Sequence, residues 1–362
     1  MKIGRRLGRT YTKDEILWCA HSGTGVEFVC QGENLTVSFK GSNASMIKGN
    51  NKKYPRVAVY VNGERVVDTQ IDEIYKNVDI KLNPDEISNV KIIKLSESME
   101  SIFGIGKITL DGSTEGFTPT PEKDFLIEFI GDSITCGYGV DAAGKEETFS
   151  TETEDFTDSY AYLTAQNLGA DISVVAFSGH GIISGYSANG IDKTDLLVPK
   201  YYNKIGASYD DKIDGKDIAD IEYVFERKPD LIVINLGTND DSYCLDDAAK
   251  QAEFTDAYVS FLRTVRAYNP DAVILCTLGI MGDRLYPAVE KAAVTFAIQT
   301  GDSKVFFKKF DVQNPSDGYG ADWHPSAATH IKASESLTAW IKDLGYLRRI
   351  ASARAGQSEI VE

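Results

Sequence analysis

The chain predicts an α/β protein in two parts: an N-terminal β-sandwich of jelly-roll type over residues 1–118, then a parallel sheet flanked by helices over residues 119–362. Three observations carry this. Apolar and polar residues alternate from Val26 to about Leu110, residues 112–124 are rich in Gly, Thr and Pro, and beyond them short apolar runs alternate with helical stretches. The length also exceeds one ordinary domain of about 150 residues.

The first region reads as short strands with turns between them. Val26, Phe28 and Cys30 face one way, as do Leu35, Val37 and Phe39 after Gly32-Glu33-Asn34, the pattern of a β-hairpin. Residues 56–67, RVAVYVNGERVV, place Asn62-Gly63 between two alternating runs, and this pair readily takes the left-handed backbone of a tight hairpin turn. Residues 105–112, IGKITLDG, add a late strand, and residues 112–124 read as a linker. Several short strands of this kind suit a sandwich.

In the second region the strand-like runs are FLIEFIG, ISVVAF, LIVINLG, AVILCTLG and KVFFKKF. Phe254, Ala257, Tyr258, Phe261, Leu262 and Val265 fall on one helical face, as do Val289, Ala292, Ala293, Phe296 and Ala297. Strands alternating with amphipathic helices form a parallel sheet covered on both faces. The closing AGQSEIVE reads as a loose tail.

Charge narrows the partners. Asp and Glu number 54 against 38 Lys and Arg, a net charge of −16, which disfavours nucleic acid and anionic membranes. The short basic clusters at residues 4–6 and 347–349 read as solvated surface. No run reaches the ~20 apolar residues of a membrane helix, and MKIGRRLGRTYTKDE has no apolar core of a secretion signal, so a cytoplasmic location is expected, or a secreted one if a signal has been removed. Cys19, Cys30, Cys136, Cys244 and Cys276 are odd in number and lack metal-ligand spacing, which suits reduced thiols.

The residues that carry chemistry begin at FLIEFIGDSITCGYG, where a strand delivers Asp132 and Ser133 into a turn containing Gly131, Gly137 and Gly139. Such a turn at the carboxyl end of a parallel strand presents a nucleophile, although Asp132 and Ser133 could equally cap a helix. Downstream lie AFSGHG with Ser178, Gly179, His180 and Gly181, then LGTNDD with Asn239, then ADWHPS with His324. Pro325 biases His324 away from helix. His21 and His180 read as structural or surface histidines and His330 as a residue of the last helix. A serine hydroxyl needs a base to take its proton, and the oxyanion formed on attack needs donors already in place.

In this order the four blocks resemble the SGNH (GDSL-type) hydrolases. The resemblance implies Ser133 as nucleophile, His324 as general base, and an oxyanion hole made by the Ser133 N–H, the Gly181 N–H and the Asn239 amide, with Gly179 as the competing glycine. With a preceding sandwich, the wording GDSITCGYG and the WHP block, the chain is most similar to carbohydrate esterase family two, whose members remove acetyl groups from plant polysaccharides such as xylan. That implies an acetylated saccharide substrate and no metal or organic cofactor. The alternatives are a lipase, arylesterase or thioesterase of the same superfamily, or a carbohydrate-binding protein whose catalytic domain has decayed.

The chain departs from the superfamily where an acid usually stands three residues before the histidine: Ala321 is there and Asp322 follows it. Asp322 is the expected third catalytic residue, and a backbone carbonyl, such as that of Trp323, is its rival for orienting the imidazole. Trp323 is expected either to stack on a sugar ring or to pack the histidine loop.

Overall fold

The computed structural model describes residues 4–345, so the terminal tail and the basic cluster at 347–349 lie outside the described residues. The first region forms two antiparallel sheets. One has the spatial order Arg5–Leu7, Gly25–Cys30, Ser88–Lys94, Arg56–Val61, Glu64–Gln70; the other runs Thr10–Lys13, Ile16–Cys19, Phe103–Leu110, Asn34–Lys40, Tyr75–Lys81. Their inner faces share one core that includes Leu17, Phe28, Val37, Val57, Ile92 and Phe103.

The expected hairpin at residues 26–39 is not one. Gly25–Cys30 pairs with Ser88–Lys94 in the first sheet, and Asn34–Lys40 pairs with Tyr75–Lys81 and Phe103–Leu110 in the second. Val26, Phe28, Cys30, Leu35, Val37 and Phe39 are all buried because the intervening turn carries the chain from one sheet to the facing one. Alternation records which side chains are buried and not which strand is the neighbour. The second hairpin forms as expected: Val61 pairs with Glu64 across Asn62 and Gly63, with φ of 51° and 89°.

The segment read as a linker is docked. Thr118–Pro119 pairs with Val29 and Phe28, and Phe117 meets the Phe28 ring edge-on at 5.2 Å. Arg5, expected as solvated surface, pairs with both Glu27 and Asp171, tying the first strand to the second region. Arg9 is fully buried and reaches Glu128 at 2.7 Å, beneath the rings of Tyr202, Tyr223 and Phe225. Burying a guanidinium is tolerable only with such a partner, and removing one member of a buried pair typically costs about 3–5 kcal/mol.

The second region is a five-stranded parallel sheet ordered Asp171–Ala176, Leu126–Gly131, Leu231–Asn235, Val273–Ile280, Val305–Val312. Helices Ala248–Tyr268 and Tyr286–Thr300 bury the faces read from the sequence, including Phe254, Tyr258, Leu262, Val289 and Phe296. The chain starts mid-sheet, steps to one side and then works outward on the other. The loops leaving the first three strands therefore converge at one rim, the usual place for a ligand. Among the described residues no helix is long and apolar enough to cross a membrane. The five cysteines are buried and free.

Candidate active site

Ser133 opens the four-residue helix Ser133–Cys136, capped by Asp132, whose carboxylate accepts the Ile134 N–H at 3.0 Å. Asp132 thus does the capping, which leaves the Ser133 hydroxyl uncommitted to that task. At the first helical position the Ser133 N–H has no acceptor within its helix. His324 arrives from the loop after the fifth strand, and its Nε2 lies 2.9 Å from the Ser133 Oγ. The two loops touch at Gly139, whose carbonyl accepts the Ala321 N–H and where any Cβ would fall 2.4 Å from that of Ala321.

What orients His324 is a backbone carbonyl. Its Nδ1 lies 3.1 Å from Ala321 O. A carbonyl can only accept, so Nδ1 carries the proton and Nε2 presents a lone pair to Ser133. Asp322, expected as the catalytic acid, is turned elsewhere: its Oδ2 accepts from the Tyr138 hydroxyl at 2.7 Å and from the Phe149 N–H at 3.0 Å. The cause is local. Asp322 and Trp323 both adopt left-handed backbone, φ 47° and 65°, which directs the aspartate off the imidazole. The rival carbonyl of Trp323 is taken by Gln313. Tyr138 stacks on the imidazole, with centroids 3.8 Å apart. Enclosure on that side pushes the His324 pKa down to about 4, partly offset by the Ala321 carbonyl and by Asp322, so the imidazole is neutral at ordinary pH.

The oxyanion donors require one correction. Gly181, carried over as the donor, gives its N–H to Leu196 O at 3.0 Å, and an added Cβ there would lie 2.0 Å from Ser184 O. It is a packing glycine. Gly179 instead lines the cleft with Ser133, Asn239 and His324, its φ is +73°, and its N–H makes no hydrogen bond among the described residues. Asn239 does not fold onto its own turn; its Nδ2 reaches His180 O at 2.9 Å and, at a longer 3.4 Å, Asp132 Oδ2, and the residue lines the cleft beside Ser133.

The cleft holds about 620 Å³. Tyr138, Phe149, Tyr186, Tyr209 and Arg284 on its walls had no signal in the sequence. Asp240, next to Asn239, is fully buried and accepts the N–H groups of Ile182, Ile183 and Ser184 at 2.7–3.1 Å, fixing the second loop. Burial pushes its pKa up to about 6 against those donors. Trp323 is half exposed and does not line the cleft: Lys145 Nζ sits 3.6 Å over its ring and Tyr319 meets its edge. His21, His180 and His330 are buried, and His330 Nδ1 accepts from the Tyr160 N–H.

Residues 129–331 match the GDSL-like lipase/acylhydrolase family. The chain belongs to that family. It is 34% identical to the cellulase/esterase CelE of Acetivibrio thermocellus over 90% of its own length, and it spans only 37% of that protein. Identity to an acetylxylan esterase / glucomannan deacetylase of Cellvibrio japonicus is 26%, covering 93% of this chain and 88% of that one. A family two carbohydrate esterase from Clostridium thermocellum, solved in complex with cellohexaose, superposes with a TM-score of 0.80 at 29% identity, over 94% of this chain and 99% of that one. The match to a family two carbohydrate esterase therefore includes the N-terminal sheets as well as the GDSL-like domain.

Proposed function

We propose that the chain is a serine esterase that removes acetyl groups from acetylated xylan, xylo-oligosaccharides or related sugars. The observation that carries this reading is the 2.9 Å approach of the His324 Nε2 to the Ser133 Oγ at the floor of a cleft. Ser133 attacks the ester carbonyl as Nε2 takes its proton, and the tetrahedral oxyanion collects the N–H groups of Ser133 and Gly179 and an Asn239 N–H that exchanges its long 3.4 Å contact with Asp132 for the oxyanion. Collapse expels the sugar hydroxyl with the proton held by His324. Water, deprotonated by the same imidazole, then releases acetate from Ser133. A Ser133 and His324 pair performs these steps with the Ala321 carbonyl as the orienting group.

Saccharide ester substrates fit a cleft walled by Tyr138, Phe149, Tyr186 and Tyr209, because aromatic faces pack on sugar rings and hydroxyl tips bond them. The names of the relatives support the same reading. A panel of acetylated xylo-oligosaccharides, other sugar acetates and aryl esters of rising acyl length is the test. Acetate release from the sugars, falling steeply beyond acetyl on the aryl series, is expected; a preference for long acyl chains would identify a lipase-type enzyme, and no turnover with any ester would sink the hydrolase reading.

A further inference from the structure

The sandwich enters the catalytic cleft through residues 95–101, LSESMES, which follow the strand Ser88–Lys94. Three of them, Glu97, Met99 and Glu100, line the cleft. Glu97 is 2% exposed, and its Oε2 accepts the N–H of Ser178 at 2.9 Å. Its own backbone is fixed at both ends by buried side chains: Glu154 Oε2 accepts the Glu97 N–H at 2.8 Å, and Lys94 Nζ donates to the Glu97 carbonyl at 2.7 Å. The carboxylate therefore acts from a rigid base.

The bond it makes lies one peptide away from an oxyanion donor. The Ser178 carbonyl bonds His180 Nδ1 at 2.8 Å. In a trans peptide the N–H points opposite to the C=O, so this bond directs the Gly179 N–H away from His180, toward the cleft that Gly179 lines. With Glu97 holding the peptide before Ser178 and His180 holding the one after it, both planes flanking Ser178 are set. Gly179 has a left-handed φ and open space where a Cβ would stand, so the turn is held through its peptides: Tyr186 N–H bonds the Gly179 carbonyl at 2.8 Å and His180 N–H the Phe177 carbonyl at 3.3 Å.

We propose that Glu97, delivered by the N-terminal sandwich, is a positioning residue for the oxyanion hole: its carboxylate anchors the Phe177–Ser178 peptide, the near end of the turn from which the Ser178–Gly179 peptide, held by His180, presents the Gly179 N–H to the developing oxyanion. The inference rests on the esterase reading of the site. A wall residue serving only to fill space would be apolar, since an ion of that size is costly to bury without a directed bond to make. Burial indeed raises the Glu97 pKa, and the Ser178 N–H opposes that rise.

The test uses the full chain with Glu97→Ala, Glu97→Met and Glu97→Gln, assayed on an aryl acetate and an acetylated xylo-oligosaccharide. Losing the acceptor in Ala or Met is expected to cut kcat about 10- to 100-fold on both substrates with KM within about twofold, since misplacing a donor by ~1 Å costs on that order. Gln offers an amide oxygen to the same N–H and is expected to recover to within about fivefold of the parent. Should Ala fail to fold, Met keeps the volume and must show the same kcat loss. A kcat within about threefold of the parent in Ala and Met, a loss confined to KM, or a kcat loss that Gln does not repair overturns the assignment of Glu97 alone, with the parent enzyme and Ser133→Ala confirming the site. A parent chain inert on both substrates overturns the esterase reading and this inference together.

Discussion

The two arms of the site are held by opposite means. The oxyanion arm, residues 176–184, is clamped from beneath by buried carboxylates: Asp240 takes three N–H groups and Glu97 takes another. The histidine arm relies on neutral backbone, with Ala321 N–H on Gly139 O, Asp322 N–H on Glu147 O and the Ala321 carbonyl under the imidazole. Its one carboxylate, Asp322, faces Tyr138 and Phe149. Buried carboxylates thus hold the arm that bears Gly179, while His324 is placed by chain geometry and by a ring stacked on it.

The comparison breaks first at the reacting atoms, which both arms serve. Ser133→Ala and His324→Ala are each expected to abolish turnover down to the residual ~10³ to 10⁴ over water left by the rest of the site, with melting temperatures near the parent's. A fluorophosphonate probe should label Ser133, and labelling of a different serine would overturn the assignment. On the oxyanion arm, Asn239→Ala should lower kcat by about 10² to 10³ with little change in KM, because its amide N–H bonds best to the transition state. An effect limited to KM would make it a binding residue.

The histidine arm should respond much less to loss of its charge. Asp322→Asn is expected to cost under about tenfold in kcat, against the ~10⁴ that loss of a true triad acid can bring. The same comparison has a pH signature. The base must be neutral to work, and its pKa is lowered to about 4, so kcat/KM should hold through pH 6 and fall only as pH drops through about 4. An acid limb at the ordinary imidazole value of ~6.5 would contradict the enclosed, carbonyl-held histidine. Smallest of all, Trp323→Ala is expected to change sugar and aryl acetates alike by less than about threefold, since the ring lies against Lys145 outside the cleft. A selective loss on sugars would place it on the substrate.

What the sequence disclosed follows from range. Ser133 and Asn239 stand just past apolar runs whose strand character is local, and His324 precedes a proline in a loop, so order and turn chemistry were enough to single them out. The choice between Gly179 and Gly181 was not local: it depends on Leu196 taking the Gly181 N–H, a contact made by a loop that no periodicity describes. Asp322 misled because distance in sequence says nothing about a left-handed backbone that turns a side chain away. Glu97 had no signal at all, since its partner Ser178 is 81 positions off and in the other region. The false hairpin at residues 26–39 failed for the same reason, burial being visible in the pattern and pairing not.

The turn that passes the chain between the two N-terminal sheets has a consequence for the order in which the molecule assembles. Local hairpins are available at Thr10–Lys13 with Ile16–Cys19 and at Arg56–Val61 with Glu64–Gln70, but Gly25–Cys30 also needs Ser88–Lys94, and Asn34–Lys40 needs Tyr75–Lys81 and Phe103–Leu110, all distant in sequence. Closing such long loops before any contact rewards them is slow. The segment bearing Glu97 follows directly on Ser88–Lys94, the strand those late pairings recruit. A chain with its parallel sheet formed and its sandwich open would hold its serine and histidine and still lack the wall of the cleft that Glu97, Met99 and Glu100 supply.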